Sequence, residues 1–112
     1  METQVAKRKP TQNPYFTQQF KTASPEKLIL LLYDLGIKSC KAGDRGKASR
    51  VFVELISSLN FDYREIALQF FDLYRYAQDR ACHGKFDEAL MVLEGLREVW
   101  ASAVMGQQGI NN

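Results

Sequence analysis

Apolar residues recur at helical spacing directly after residue 24. Ser24, Pro25 and Glu26 form a typical helix start, because a serine hydroxyl accepts from free N–H groups, proline fits the first turn and a carboxylate favours the positive helix end. The pattern predicts a first helix from Ser24 to about Ala42, ended by a glycine. Its apolar stripe is Leu28, Leu31, Leu32 and Leu35.

Three further segments carry the same period and predict helices over about 45–60, 62–83 and 87–106. Asp44 is the expected cap of the second helix, and His83-Gly84 is expected to close the third. Their predicted core stripes are Ala48, Val51, Phe52, Leu55, Ile56 and Leu59, then Ile66, Phe70, Leu73 and Ala77, then Leu90, Leu93, Leu96, Trp100 and Val104.

The predicted helices are joined by connections of only a few residues, which favours antiparallel neighbours. The sequence therefore predicts an all-α protein, an antiparallel up-down four-helix bundle. We expect a polar leader over residues 1–14, the bundle with an N-terminal lid segment over 15–105, and a disordered tail over 106–112.

The lid is predicted from three aromatic residues in a segment that is otherwise threonine, glutamine and lysine. Tyr15, Phe16 and Phe20 are too apolar for a linker, so we expect them to dock on the bundle, permanently or reversibly.

The first helix is also more apolar than a single core requires. Ile29, Leu30, Tyr33 and Ile37 fall outside its stripe, and the chain has seven Phe, five Tyr and one Trp in 112 residues. This excess indicates a surface that recognises another polypeptide.

Charge and composition argue against other partners. A formal net charge of +2 does not indicate nucleic-acid binding, and Lys7-Arg8-Lys9 is interpreted as a solvated tail. No stretch is apolar enough for a membrane helix or a signal peptide, so we expect a cytosolic protein without membrane insertion. Cys40 and Cys82 lie far apart in sequence and are expected to be reduced thiols.

No catalytic or cofactor-binding pattern is present, so the sequence predicts a protein that is not an enzyme and holds no cofactor or metal. His83, the only histidine, raises the alternative of a histidine phosphotransfer domain. It abuts a helix-stopping glycine, however, where a histidine cation is favoured by the helix dipole.

An internal echo leaves a second alternative open. Gly43-Asp44-Arg45-Gly46-Lys47-Ala48 resembles Gly84-Lys85-Phe86-Asp87-Glu88-Ala89, as two stacked helical hairpins would. Two copies are too few for a solenoid, but a generic peptide-binding helical-repeat module remains possible.

Several strings in order along residues 13–102 together resemble the flagellar secretion chaperones, the FliS-type flagellin chaperone family. They are Asn13-Pro14-Tyr15, Thr22-Ala23-Ser24-Pro25-Glu26-Lys27-Leu28, Leu32-Tyr33-Asp34, Ser58-Leu59-Asn60, Glu65-Ile66-Ala67, Leu73-Tyr74-Arg75-Tyr76 and Leu93-Glu94-Gly95-Leu96-Arg97-Glu98-Val99-Trp100.

The resemblance implies a bundle that binds the C-terminal segment of flagellin in the cytosol, prevents premature polymerisation and aids delivery to the flagellar type III export apparatus and its gate. It also implies an N-terminal segment that covers part of the binding surface when cargo is absent. Free of cargo, the protein is expected to be a monomer or weak homodimer. The hypothesised partner-binding residues are Tyr15, Phe16, Phe20, Ile29, Leu30, Tyr33, Ile56, Phe71 and Tyr74.

Two features depart from the family pattern. The turn Gly43-Asp44-Arg45-Gly46 is compact where the family usually has a longer region, and Phe61-Asp62-Tyr63-Arg64 stands where many members have a basic residue and paired glycines. Details of cargo binding near these corners are expected to differ.

Overall fold

The computed structural model describes residues 23–111, with side chains through Val104. It contains four α-helices: α1 (Pro25–Lys41), α2 (Arg45–Ser57), α3 (Arg64–Cys82) and α4 (Phe86–Asn111). Each helix packs against the next, and α4 closes against α1. The predicted all-α class and four-helix bundle are confirmed, and residues 23–111 contain no strand.

The predicted starts of α1 and α2 are made by side-chain caps. The Ser24 hydroxyl accepts a hydrogen bond from the Lys27 N–H at 3.2 Å, and the Asp44 carboxylate accepts from the Lys47 N–H at 3.1 Å. Gly43 and Gly84 adopt φ angles of 67° and 76°, which side chains disfavour. Both tight turns therefore follow from local sequence.

The second helix is shorter than predicted. It ends at Ser57 rather than Asn60. The last turn tightens, since the Leu59 N–H bonds to the Ile56 carbonyl three residues back at 3.1 Å, and the Ser57 and Ser58 hydroxyls donate to the Val53 and Leu55 carbonyls at 2.9 and 2.6 Å. The Asn60 side chain then accepts from the Asp62 N–H at 2.9 Å, which forms a turn before α3.

The last helix is longer than predicted. It begins at Phe86 rather than Asp87, and its backbone remains helical to Asn111 rather than ending by Gly106. A glycine inside a helix costs only about 1 kcal/mol, so Gly106 does not suffice to stop it. The predicted leader and the aromatic part of the predicted lid lie outside the described residues, and the division into leader, bundle with lid and tail stays a prediction.

The core lies where all four helices converge. The predicted stripe of α2 is confirmed, with Ala48, Val51, Phe52 and Leu55 all buried. On α1 the most buried side chain is Tyr33, only 1% exposed, although it was placed outside the core stripe. Tyr33 therefore belongs to the core.

The core face of α3 was predicted in part: Ala77 is buried and Phe70 packs against the core, as predicted, but Ile66 and Leu73 lie outside it. Ile66 is 58% exposed and Leu73 is 41% exposed. The buried positions continue with helical period to the end of the helix: Ala67, Tyr74, Ala77 and Ala81. Three alanines permit close approach of neighbouring helices, and this longer stripe turns Ile66 and Leu73 outward.

Gly36 is buried where α1 meets α2 and α4. A Cβ atom at this position would lie 3.0 Å from Leu93 Cδ1 and 3.1 Å from Val51 Cγ1. The absence of a side chain thus allows three helices to approach closely, a constraint the sequence pattern did not reveal.

Both cysteines are free thiols, Cys40 buried and Cys82 exposed. Among the described helices, none has the length and apolar character needed to cross a bilayer.

We expect Gly36→Ala to lower the free energy of unfolding by about 1 kcal/mol, because overpacking at two contacts outweighs the helix-propensity gain of alanine. The matched control is Gly95→Ala, since nothing lies within 4 Å of its Cβ position. That variant should gain up to about 1 kcal/mol. Urea denaturation of both measures the difference, and equal stabilisation by the two substitutions would contradict the close approach.

Candidate functional site

An apolar groove lies at the end of the bundle where α1 and α3 begin, and its cavity volume is about 300 Å³. Every helix or its adjoining loop contributes to the lining. Its apolar walls are Ile29, Leu59, Ile66, Ala67, Phe70 and Trp100. The rim consists of Ser58, Asn60 and Tyr63.

The groove exists because α2 stops short. The α1–α2 turn is tight, so the end of α1 and the start of α2 are level at the opposite end of the bundle. From there α1, with 17 residues, extends about 25 Å, whereas α2, with 13 residues, extends only about 20 Å. The loop of residues 58–63 continues in place of a helix and leaves apolar side chains of α1 and α3 uncovered.

Two tyrosines form the floor of the groove. Tyr33 and Tyr74 are 1% and 3% exposed, and their hydroxyl oxygens are 2.8 Å apart, so one hydroxyl donates to the other. Burial raises the pKa of both phenols above the ordinary value, so both carry their protons at neutral pH. The Tyr74 ring also packs against Phe70, with 5.9 Å between centroids.

Trp100 connects the groove wall to the start of α1. Its indole Nε1–H donates to the Glu26 carbonyl oxygen at 2.9 Å, which holds α4 against the first turn of α1. Because this is the only tryptophan in the chain, its fluorescence reports on the groove alone.

Three of the hypothesised partner-binding residues come together in this groove: Ile29, Tyr33 and Tyr74. Their binding role stays a prediction. Tyr15, Phe16 and Phe20 lie outside the described residues.

The remaining three hypothesised residues do not line the groove. Leu30 lies one helical turn before Asp34 and therefore on the same side of α1. On that side the Asp34 carboxylate pairs with Arg97 of α4. Ile56 packs against the core. Phe71 lies outside the groove, and the guanidinium of Arg75 is 5.7 Å from the centroid of its ring.

Sequence reasoning missed Tyr63 and Ile66, which are 67% and 58% exposed at the groove. The sequence pattern puts Tyr63 inside the predicted third helix but off its apolar stripe, and it puts Ile66 in that stripe. Helical spacing gives no signal for Ile66, because Ile66 and Ala67 both fit the period and the packing of the neighbouring helices decides between them.

Exposed apolar surface continues beyond the groove along the same part of the chain. Among the described residues, nine large apolar side chains are exposed, and six of them lie within 61–76: Phe61, Tyr63, Ile66, Leu68, Leu73 and Tyr76. The loop before α3 and the outer side of α3 therefore carry most of the apolar surface.

A second depression lies between α1 and α4 and is larger, about 660 Å³. Asp34 and Arg97 form an ion pair there, and Glu94 and Glu98 are exposed beside them. Since it is charged and wide open, it resembles ordinary solvated helix surface more than a binding site.

The raised pKa values make the stability of the bundle sensitive to alkaline pH. Above about pH 10 the tyrosines ionise in the unfolded chain before they ionise in the fold, so stability that is present below pH 10 is lost as pH rises. Wild type should lose about 1 to 2 kcal/mol more stability than Tyr33→Phe/Tyr74→Phe between pH 10 and 11, because each tyrosine is already half ionised in the unfolded chain at pH 10. Urea denaturation at each pH measures this, and parallel pH profiles would contradict it.

Comparison of the chain with protein-family models, with curated proteins and with solved structures finds no match.

Proposed function

We propose that this protein is a cytosolic export chaperone that binds the C-terminal segment of flagellin, prevents its premature polymerisation and aids its delivery to the flagellar type III export apparatus. The observation that carries the proposal is the open apolar groove at the α1/α3 end of the bundle, with Ile66 and Tyr63 exposed at its edge. The resemblance of residues 13–102 to flagellin chaperones supplies the identity of the guest.

The groove suits a segment that is unfolded before binding. A volume of about 300 Å³ is at the small end of ligand pockets, so it anchors a few apolar side chains rather than a folded domain. The rest of such a segment can lie along the exposed apolar residues of α3. Burial of this surface offsets the ordering entropy of the guest and removes its apolar side chains from contact with other flagellin copies.

The N-terminal segment is close enough to cover the same groove. The α1 helix begins at the groove end, and four residues lie between Phe20 and Pro25, so the five steps along the chain reach up to about 17 Å. In this proposal Tyr15, Phe16 and Phe20 compete with flagellin for the groove. Bound flagellin then takes the place of a segment of the chaperone itself, so the apolar groove is covered both before and after binding.

The two alternatives predict different behaviour. A generic peptide-binding module would bind amphipathic peptides of equal composition and scrambled order as tightly as flagellin. A phosphotransfer domain would take up phosphate from a phosphorylated receiver and lose it in His83→Ala. His83 caps α3 and is exposed, with Nδ1 2.8 Å from the Asp79 carbonyl oxygen, which is a structural arrangement of a helix end.

We expect Ile66→Asp to weaken binding of the flagellin C-terminal segment by about tenfold or more, because an unpaired carboxylate would be buried against an apolar guest. Position 66 lies in the first turn of α3, where aspartate is favoured by the helix dipole, so the fold should persist. Isothermal titration calorimetry measures the affinity.

The matched control for this substitution is Met91→Asp. Met91 is 72% exposed on α4 and does not line the groove, so the same chemical change there should leave the affinity within about twofold. Equal weakening by both variants would show that the groove is not the binding surface.

We expect deletion of residues 1–20 to tighten flagellin binding by roughly threefold or more, since the competing segment is removed and a larger fraction of the protein has an open groove. Thermal unfolding should show that the bundle remains folded. An affinity unchanged from the full chain would rule out the lid.

A further inference from the structure

The floor of the groove contains one more hydrogen-bond donor than the described residues use. Tyr33 and Tyr74 together carry two hydroxyl protons, and their mutual hydrogen bond at 2.8 Å engages only one of them. Neither hydroxyl has another hydrogen-bond partner within residues 23–104. The accepting tyrosine therefore retains a proton that has no acceptor there.

The other polar groups of the groove are either engaged or at its open edge. Trp100 donates its indole N–H to the Glu26 carbonyl, and the Ser58 hydroxyl donates to the Leu55 carbonyl at 2.6 Å. Asn60 and Tyr63 are exposed at the rim, where water satisfies them. Among the described side chains, only the tyrosine pair offers a donor inside the apolar part of the groove.

We infer that the Tyr33–Tyr74 pair is a donor site at the floor of the groove and that it takes a main-chain carbonyl oxygen of the bound segment. A peptide bound in an extended path leaves its carbonyl oxygens without intramolecular partners, and burial of one of them against apolar walls requires a donor. The tyrosine pair supplies that donor where the walls are otherwise Ile29, Phe70 and Trp100.

The tyrosine pair then selects for the orientation of the bound segment in the groove as well as for its amino-acid sequence. A segment that presents only aliphatic side chains to the floor leaves the buried hydroxyl proton unpaired, whereas one that presents a carbonyl satisfies it. This inference deepens the proposed function, since it assigns a specificity determinant within the same groove.

The test uses two small probes of nearly the same shape, acetophenone and α-methylstyrene, in which a carbonyl oxygen replaces a methylene group. Each is titrated into the full-length protein, and NMR shifts of the Trp100 indole N–H and the Ile66 methyl groups give the affinities. We expect the affinity ratio of acetophenone to α-methylstyrene to fall about tenfold in Tyr33→Phe/Tyr74→Phe. Removal of both hydroxyls leaves no orphaned partner, so this variant should fold.

Tyr76→Phe is the control, because it removes an exposed tyrosine hydroxyl from α3 outside the groove. It should leave the ratio unchanged. Equal ratios in wild type and the double variant, equal loss in Tyr76→Phe, or no binding of either probe would overturn the inference. Because neither probe is derived from flagellin, failure of the flagellin titration alone would overturn the proposed function and leave the donor site standing.

Discussion

The shortness of α2 determines the shape of this bundle. Ser57 and Ser58 bond to carbonyl oxygens of the preceding turn, Asn60 accepts from the loop, and the helix ends while α1 and α3 still extend beside it. The tight turn at Gly43 keeps the end of α1 level with the start of α2, so the shorter length of α2 shows only at the groove end of the bundle. The early end of α2 thereby leaves an apolar groove lined by α1, α3, α4 and the loop after α2.

The floor of that groove is made of two tyrosines. A side chain there has to fill the space between α1 and α3 next to an open groove. Tyr33 and Tyr74 do so, because their rings pack in the core and their hydroxyls pair across the bundle. An all-aliphatic floor would pack equally well but would offer no polar contact to a bound main chain.

Much of the fold was predictable because it depends on local rules. Helix caps and stops depend only on neighbouring residues in the sequence. The caps at Ser24 and Asp44 and the stops at Gly43 and Gly84 each behave as predicted. The face that α3 turns to the core was not fully predictable, because Ile66 and Ala67 both fit a helical period. Only the positions of the neighbouring helices decide which of the two is buried. Gly36 is similar, since its role depends on Leu93 and Val51, which are distant in sequence.

The candidate site was half predictable for the same reason. The apolar excess on α1 includes Ile29 and Tyr33, which line the groove, but the edge formed by Tyr63 and Ile66 depends on where α2 ends. The most direct test of the account is NMR titration of the full chain with the flagellin C-terminal segment. The account predicts saturable shifts of the Trp100 indole N–H and of the Ile29 and Ile66 methyl groups. Saturable binding whose shifts lie elsewhere on the bundle and leave these groups unchanged would contradict it.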